Sequence, residues 1–434
     1  MAATPLTWGC DKRGSIMDRR VVVTGLGAVT PVGKQVDEIF ANLMAGHSGV
    51  KETTRFDTSR NPVKTSGEVT GFDPSEHGIS PRDLRVLDRF QQYALAASDA
   101  ALIDSGIDLP RNEIVSRKKS EQRFERIGAA IGMAFSSTEP LQDQFVRLAE
   151  KGTRGVSPRL FNMCLPNAGT SLLSVRHGLC GPLVTVSGAS ASGSDSIIAA
   201  YDKIRHGRAE VMLAGGAESP VTDIIVSGFA QNHTGSQAGA CRPFDEERDG
   251  TVLGEGAAIL VLEEREHALS RGARIYGELL GYGLRGDAFD MSDIPPSDAP
   301  GMTACLTEAL TDAGVAAQEV GYVNVHGTAT KSNDPAEVTA IRKVFGEHAG
   351  QLRVSGIKGA TGHMLGASGA LEAMVALLAS HRDEVPPTWG LRVPSADCEL
   401  NHVIGTGISA PVDVAISTSV GMGGNNSALV FRGA

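Results

Sequence analysis

The chain has 434 residues, and 40 Lys+Arg against 50 Asp+Glu leave a formal charge of −10 at pH 7. That acidity excludes a general nucleic-acid binder, which needs a basic field against phosphate, and confines any acidic partner to a local basic patch. Apolar content of 41% and charged content of 21% exclude a disordered or fibrous chain, and the length suits two or three units or one large domain built of two similar halves.

Taken in chain order, Gly-rich turns alternate with β-branched runs and amphipathic stretches, the pattern of an α/β chain. Residues 1–17 lack the apolar core of a signal peptide and read as a flexible tail, with Met17 an expected alternative start. Val21-Val22-Val23-Thr24 predicts a compact strand broken by Gly25, followed by helices over 37–44 and 88–105. Strands are expected over 127–131 and 183–187, then a helix whose apolar Ile197, Tyr201 and Ile204 recur at i, i+4, i+7 and which Gly207 stops. Further strands are expected over 211–214 and 257–262. The charged stretch 265–273 suits a junction, dividing the chain into an N-terminal half over 18–265 and a C-terminal half over 266–434. The second half combines helices over 302–313, 335–345 and 367–380 with strands over 322–325, 412–416 and 428–431. Each half sets a small-residue, Gly-rich segment beside a strand, 187–193 in the first and 421–426 in the last, which suggests a soft internal symmetry. Six cysteines (Cys10, Cys164, Cys180, Cys241, Cys305, Cys398) stand at irregular spacings with no CxxC pair, so no metal site is expected and the thiols should stay reduced. No stretch approaches 18 uninterrupted apolar residues, and a cytoplasmic protein is expected.

Four segments are candidates for chemistry. In Ser187-Gly188-Ala189-Ser190-Ala191-Ser192-Gly193 a strand meets a helix, so Ser190 should sit on a sharp turn near unpaired N–H groups and the positive end of the helix dipole. That setting suits a nucleophile or an oxyanion; an N-cap serine in a tight turn is the plain alternative, and both stay open. Val323-Asn324-Val325-His326-Gly327-Thr328 delivers a histidine from a strand to a loop, and Lys358-Gly359-Ala360-Thr361-Gly362-His363 sets a lysine and a histidine five residues apart before a helix. One histidine at a strand end is more often structural; two imidazoles and an ammonium in Gly-flanked loops point to acyl or proton transfer. Gly421-Met422-Gly423-Gly424 has glycines able to take positive φ and present N–H groups to an anion. Gly25-Leu26-Gly27 opens like a dinucleotide fingerprint, but its third glycine is missing and Pro31 interrupts the helix that would receive a pyrophosphate, so no nicotinamide cofactor is expected.

A wider set of residues resembles one family. It comprises Val23-Thr24-Gly25-Leu26-Gly27 with Pro31 and Gly33, Asp88-Arg89-Phe90-Gln91-Gln92-Tyr93-Ala94, Arg242-Pro243-Phe244-Asp245 with Arg248-Asp249-Gly250, and Gly254-Glu255-Gly256-Ala257. His326-Gly327-Thr328, Lys358 with Thr361-Gly362-His363, and Gly423-Gly424 complete it. In this order the motifs resemble the β-ketoacyl-[acyl carrier protein] synthases, most of all the ketosynthase II branch and the type II polyketide ketosynthases, from about residue 18 to the C-terminus. The resemblance implies a thiolase-like fold, two similar α/β halves stacked as a five-layer αβαβα sandwich. It implies a decarboxylative Claisen condensation of acyl units with a malonyl-loaded acyl carrier protein. His326 and His363 are then expected to bind the malonyl thioester carbonyl, with Lys358 setting the electrostatics around them, Glu372 as its helix-borne partner, and Thr328 and Thr330 in support. The N–H groups of Ser190 and Met422 are expected to form an acyl oxyanion hole, Met422 and Gly423 to lie in a gating loop, and Phe135 and Phe229 to line the acyl pocket, with core packing their plain alternative. No resident cofactor is implied, because the phosphopantetheine arm arrives on the carrier protein. A homodimer, or a heterodimer with a chain-length factor, is expected, and Asn333-Asp334 leans toward the polyketide branch.

One atom departs from the family pattern: Ser190 stands where the family carries its nucleophilic cysteine, and Cys180 lies ten residues too early to replace it. A helix dipole worth about 0.3–2 kcal/mol brings a thiol into the physiological range but leaves a hydroxyl far from it, so Ser190 needs a general base. An inactivating or trapping Cys→Ser substitution is the leading expectation. A naturally Cys-less malonyl decarboxylase, a chain-length-factor-like partner subunit and, through the order Ser190…Asp334…His363, a serine hydrolase are the alternatives. Carrier proteins are typically acidic, so a basic docking patch is sought among Arg82 and Arg85, Arg117-Lys118-Lys119 with Arg123 and Arg126, and Lys203, Arg205 and Arg208, a solvated mixed-charge surface being the plain reading of each.

Overall fold

The computed structural model describes residues 19–116, 118, 120–293 and 298–434; the expected tail, Cys10, Arg117 and Lys119 lie outside them. One mixed ten-stranded sheet runs through the molecule. Its strands are β1 (Val21–Val29), β2 (Ile127–Gly132), β3 (Leu183–Val186), β4 (Val211–Glu218), β5 (Gly256–Glu264), β6 (Gly277–Gly286), β7 (Val320–Asn324), β8 (Arg353–Ser355), β9 (Val414–Gly421) and β10 (Asn425–Gly433). Spatial order is β8-β7-β9-β10-β6-β1-β5-β4-β2-β3. Counted outward from the centre, each half therefore runs first, fifth, fourth, second, third strand, with the first two pairings antiparallel and the last two parallel. The halves join where β1 and β6 pair antiparallel over Val21 to Val23.

The main helices packed on this sheet are α1 (Arg89–Ser105), α2 (Ala168–His177), α3 (Ser192–Arg205), α4 (Pro300–Ala313), α5 (Asn333–Phe345) and α6 (Ser368–Arg382). Strand alternation divides their partners. Ala258, Leu260 and Leu262 of β5 face a central core shared with α3 and α6, while Ala257, Ile259 and Val261 face an outer core with α1 and α2. On the other half Val414 and Ile416 of β9 face a second outer core with α4 and α5, and Ala415 faces the centre. The layers are thus helix, sheet, paired helices, sheet, helix, and α3 and α6 occupy the middle. Every residue of α6 from Ser368 to Ser380 is buried, and within that stretch Glu372 alone carries a charge.

Helix ends follow local chemistry. Asp88 caps α1 in a reciprocal capping box with Gln91, and Gly106 ends it at φ +71°. The predicted break at Gly25 does not occur: β1 continues to Val29, with only a register shift between Val23 and Gly25. Here glycine serves packing, since a Cβ on Gly25 would lie 2.2 Å from Ala101 O of α1 and one on Gly27 would lie 2.1 Å from Ala97 O. Symmetry also pairs segments differently from the expectation. Residues 187–191 join β3 to α3, and their counterpart is the β8-to-α6 connection carrying Lys358 and His363; residues 422–424 instead turn the β9–β10 hairpin.

Candidate active site

The connections leaving β3, β7 and β8 meet at the N-termini of α3 and α6. Carboxyl ends of parallel strands are where α/β sheets leave room for ligands, and two helix N-termini here aim partial positive charge at one spot.

Ser190 is 5% exposed on the single turn Ala189–Ala191. Ala189 holds φ +51°, a left-handed conformation costing an L-residue about 1–2 kcal/mol. Ser192 secures it: its Oγ accepts the Gly188 N–H at 2.9 Å and donates to Ala189 O at 2.6 Å. Ser190 Oγ lies 2.8 Å from His363 Nε2, and His363 Nδ1 lies 3.0 Å from Ser368 Oγ on the first turn of α6. The His363 main chain is bridged to the 252–254 segment, donating to Val252 O and accepting from Gly254 N. A hydroxyl both donates and accepts, so Ser368 serves either tautomer of His363.

His326 stands edge-on to His363, ring centroids 5.3 Å apart at 82°. The fully buried Lys358 ammonium donates to His326 O, to Glu372 Oε1 and to His326 Nδ1 at 3.1 Å. An ammonium has only donors, so Nδ1 must accept, and the ring proton is left on Nε2. Glu337 of α5 accepts from the main-chain N–H of His326 at 2.8 Å and of Gly327 at 2.7 Å, locking the imidazole's backbone. Burial together with Lys358 holds both imidazoles well below the ordinary histidine range, with His363 adding to the effect on His326. Burial lifts the Glu372 carboxyl to about 7 against the pull of Lys358.

Ser190, His326 and His363 line a pocket of about 540 Å³ with Phe229, Thr328, Thr330, Val420, Gly421 and Met422, whereas Lys358 and Glu372 lie behind its wall. Thr328 and Thr330 bond each other through Oγ1 at 2.9 Å, and Gly423 beside Met422 takes φ +89°. Phe135 lies outside the pocket wall, 43% exposed, on a loop whose N–H groups at Ala134, Phe135 and Ser136 all point to Glu218. Arg82 and Arg85 are exposed around the turn before α1. Lys203, Arg205 and Arg208 are not brought to the site: Lys203 and Arg205 sit in the last turn of α3, about 20 Å along its axis from Ser190, Arg208 lies just beyond that end, and Arg205 pairs with Asp312 at 3.1 Å. Asp334 does not join Ser190 and His363 in a triad, because its oxygens accept the Phe244 and Ala329 N–H groups while Ser368 occupies His363 Nδ1.

Glu337, Ser368, Glu218 and Asp195 escaped the sequence reading. Asn333 and Glu337 stand four apart on one helix face, and Glu218 closes an apolar strand with a lone carboxylate; those were the available signals. Among the described residues no cluster of three or more His, Cys, Asp or Glu could hold a metal, the five cysteines are free, and no helix is long and apolar enough to cross a membrane.

Known proteins give the arrangement a context. The family described as beta-ketoacyl synthase, N-terminal domain, matches residues 18–268, and beta-ketoacyl synthase, C-terminal domain, matches 276–392. The 3-oxoacyl-[acyl-carrier-protein] synthase 2 of Coxiella burnetii is 39% identical over 418 residues, 95% of this chain and 98% of the relative. The ishigamide ketosynthase/chain length factor structure superposes with TM-score 0.87 at 32% identity, covering 96% of this chain and 99% of that one. A type II PKS acyl-carrier protein in complex with its ketosynthase bound to the hexaketide matches with TM-score 0.84 at 31% identity and the same coverage. Two-half topology, a strand-to-helix turn facing paired imidazoles, and similarity along nearly the whole length lead to one conclusion: the chain belongs to the β-ketoacyl synthase family, thiolase-like acyltransferases of fatty-acid and polyketide biosynthesis.

Proposed function

We propose that residue 190 is the acyl-accepting position of this ketosynthase, that serine there replaces the family's cysteine, and that His326, His363 and Lys358 form its decarboxylating apparatus. The observation that carries this reading is the 2.8 Å contact between Ser190 Oγ and the buried His363, with His326 edge-on beside it. In acyl loading, His363 Nε2 takes the hydroxyl proton, Ser190 Oγ bonds to the thioester carbon, and the C–S bond breaks. His363 returns the proton to the departing pantetheine thiolate. The Ser190 and Met422 N–H groups hold the oxyanion. In the second half-reaction, once the His363 ring proton has moved from Nδ1 to Nε2, Ser368 Oγ serving either tautomer, the malonyl thioester oxygen accepts Nε2–H from His326 and His363, CO2 leaves, and the C–C electron pair becomes an enolate. That carbon attacks the acyl carbonyl, the Oγ–acyl bond breaks, and Ser190 Oγ takes up a solvent proton relayed through His363 to leave as the hydroxyl. An oxygen ester is a weaker electrophile than a thioester, so condensation lags behind decarboxylation, which retains all its groups. This is the malonyl-decarboxylase reading and the impaired-synthase reading in one.

The phosphopantetheine arm enters past Thr328 and Thr330, delivered by a carrier protein docked near Arg82 and Arg85. A homodimer, or a pair with a chain-length factor, fits the solved relatives, one a ketosynthase/chain length factor and one an acyl-carrier complex. The functional halves divide at 265/266, and the cytoplasm is the compartment. Intact mass after incubation with acyl- and malonyl-loaded carriers tests the reading. We expect decarboxylation that His363→Ala abolishes, and β-ketoacyl product at speed only from Ser190→Cys. A Ser190→Cys protein that neither loads acyl groups nor condenses would overturn it.

A further inference from the structure

We propose that Asp195 is a positioning residue: by bridging α3 to the β9–β10 hairpin it sets the spacing between the Ser190 and Met422 N–H groups. This rests on the oxyanion-hole reading above. Asp195 lies five residues past Ser190 and is 8% exposed. Its Oδ2 accepts from Asn425 Nδ2 at 2.6 Å and its Oδ1 from Ser427 Oγ at 2.6 Å, three and five residues after Met422. One carboxylate therefore ties the helix that follows the Ser190 turn to the strand that follows the Met422 turn.

The hairpin needs such a tie. Its tip is Gly421-Met422-Gly423-Gly424, with Gly423 at φ +89° and Gly424 at φ +80°, a segment with little conformational preference of its own. The tie also touches the Ser190 turn directly: a Cβ on Gly188 would come 2.2 Å from Asp195 Oδ2 and 2.4 Å from Asn425 Nδ2, and one on Gly421 would come 2.4 Å from Gly188 O. The two turns are stacked through glycine, and Asp195 holds the stack from the side. Both groups facing it, Asn425 Nδ2 and Ser427 Oγ, donate, which suits an acceptor-only carboxylate, and they pull its carboxyl down against the larger upward push of burial.

The test compares Asp195→Ala, Asp195→Asn and the exchange Asp195→Asn/Asn425→Asp, each in the chain as it stands and in its Ser190→Cys form. In Asp195→Asn a side-chain NH2 faces the Asn425 NH2. In the exchange the amide placed at position 195 would donate to the new carboxylate at position 425 and still accept from Ser427. Acyl transfer to residue 190 is read by intact mass over a range of acyl-carrier concentration, malonyl decarboxylation is the internal reference, and hydrogen exchange reports on residues 421–427. Losing one oxyanion donor costs about 10²–10³ in rate, and displacing one should lower the ratio of loading to decarboxylation by about 10–100-fold, in kcat rather than KM. Exchange over 421–427 should rise, and the double exchange should restore both readouts to within about threefold. Single variants that load like the parent, whether or not the hairpin exchanges faster, overturn the proposal, as does a double variant as slow as Asp195→Asn. If neither the parent chain nor its Ser190→Cys form loads acyl groups, the oxyanion-hole reading fails, and unchanged hairpin exchange would remove the tie as well.

Discussion

Lys358 and Glu372 face each other in the buried centre of the protein, and neither is independent of the other. Removing the ammonium strands a carboxyl with no water to receive it, which costs about 3–5 kcal/mol, whereas replacing both with apolar groups removes that penalty. Urea denaturation should find Lys358→Met strongly destabilised and Lys358→Met/Glu372→Met nearer the parent; equal loss in both would mean the pair is not coupled. The depressed imidazoles also have a kinetic consequence. His326 and His363 stay neutral below the usual histidine range, so the pH profile of malonyl decarboxylation should show no acid limb near about 6.5. A limb there would show that these rings titrate as exposed histidines do. For stability, the unfolded chain takes up these two protons near about 6.5 and the folded one only at lower pH, so their contribution is complete above that value and lost as pH falls. Glu218, Asp334 and Glu372, each lifted to about 7 by burial, act oppositely: the folded state keeps protons that the unfolded state releases, and stability falls as pH rises toward 7. Glu218→Gln should therefore flatten the stability curve between about pH 5 and 7; an unchanged slope would place the Glu218 proton elsewhere.

At the scale of elements, α2 and the helix Thr138–Lys151 went unread, while α1, α3 and α4 were legible because their ends carry local signals: the Asp88 box, and Gly106, Gly207 and Gly314 at positive φ. Strand β6 was not. Its Gly277-Glu278-Leu279-Leu280-Gly281-Tyr282-Gly283 reads as turn material, yet a Cβ on Gly281 would lie 2.5 Å from Ala313 N and one on Gly283 1.9 Å from Cys305 O. Those glycines let α4 settle on the strand, as Gly25 and Gly27 let α1 settle on β1, and the same Gly-x-Gly spacing in the first strand of each half is a trace of the repeat. It also explains why Gly25-Leu26-Gly27 imitates a dinucleotide fingerprint without receiving a phosphate. Gly25→Ala should cost about 3 kcal/mol or more by overpacking, against about 1 kcal/mol for Gly207→Ala at a helix end. Thermal denaturation of the two variants checks the order, and equal losses would refute the packing argument.

Across the whole molecule the two sheet edges differ. Beyond β8 the 401–403 segment covers the edge, with Val403 N donating to Val354 O and Val354 N to Asn401 O, whereas β3 ends the other side with Leu183 45% exposed. Phe145 and Phe161 add apolar exposure on nearby helices, and an uncovered edge with apolar neighbours invites a second chain. Sedimentation should show a dimer that Leu183→Lys with Phe161→Asp converts to monomer; a persistent dimer would move the interface elsewhere. By itself the sequence determined the α/β class, the family, about half of the helices, and Ser190, His326, Lys358 and His363 as candidates, because caps, periodicity and short motifs are local. Only the tertiary structure decided that the β3–α3 and β8–α6 connections are counterparts meeting tip to tip, that burial and Lys358 hold the imidazoles below the ordinary histidine range, that Glu337 bonds the His326 main chain, and that Ser368 bonds the His363 ring. It also separated Lys203, Arg205 and Arg208 from the site. Those facts depend on contacts between residues as distant in the chain as Ser190 and His363, and on the water excluded when two half-sheets close over α3 and α6, neither of which leaves a periodic mark in one dimension.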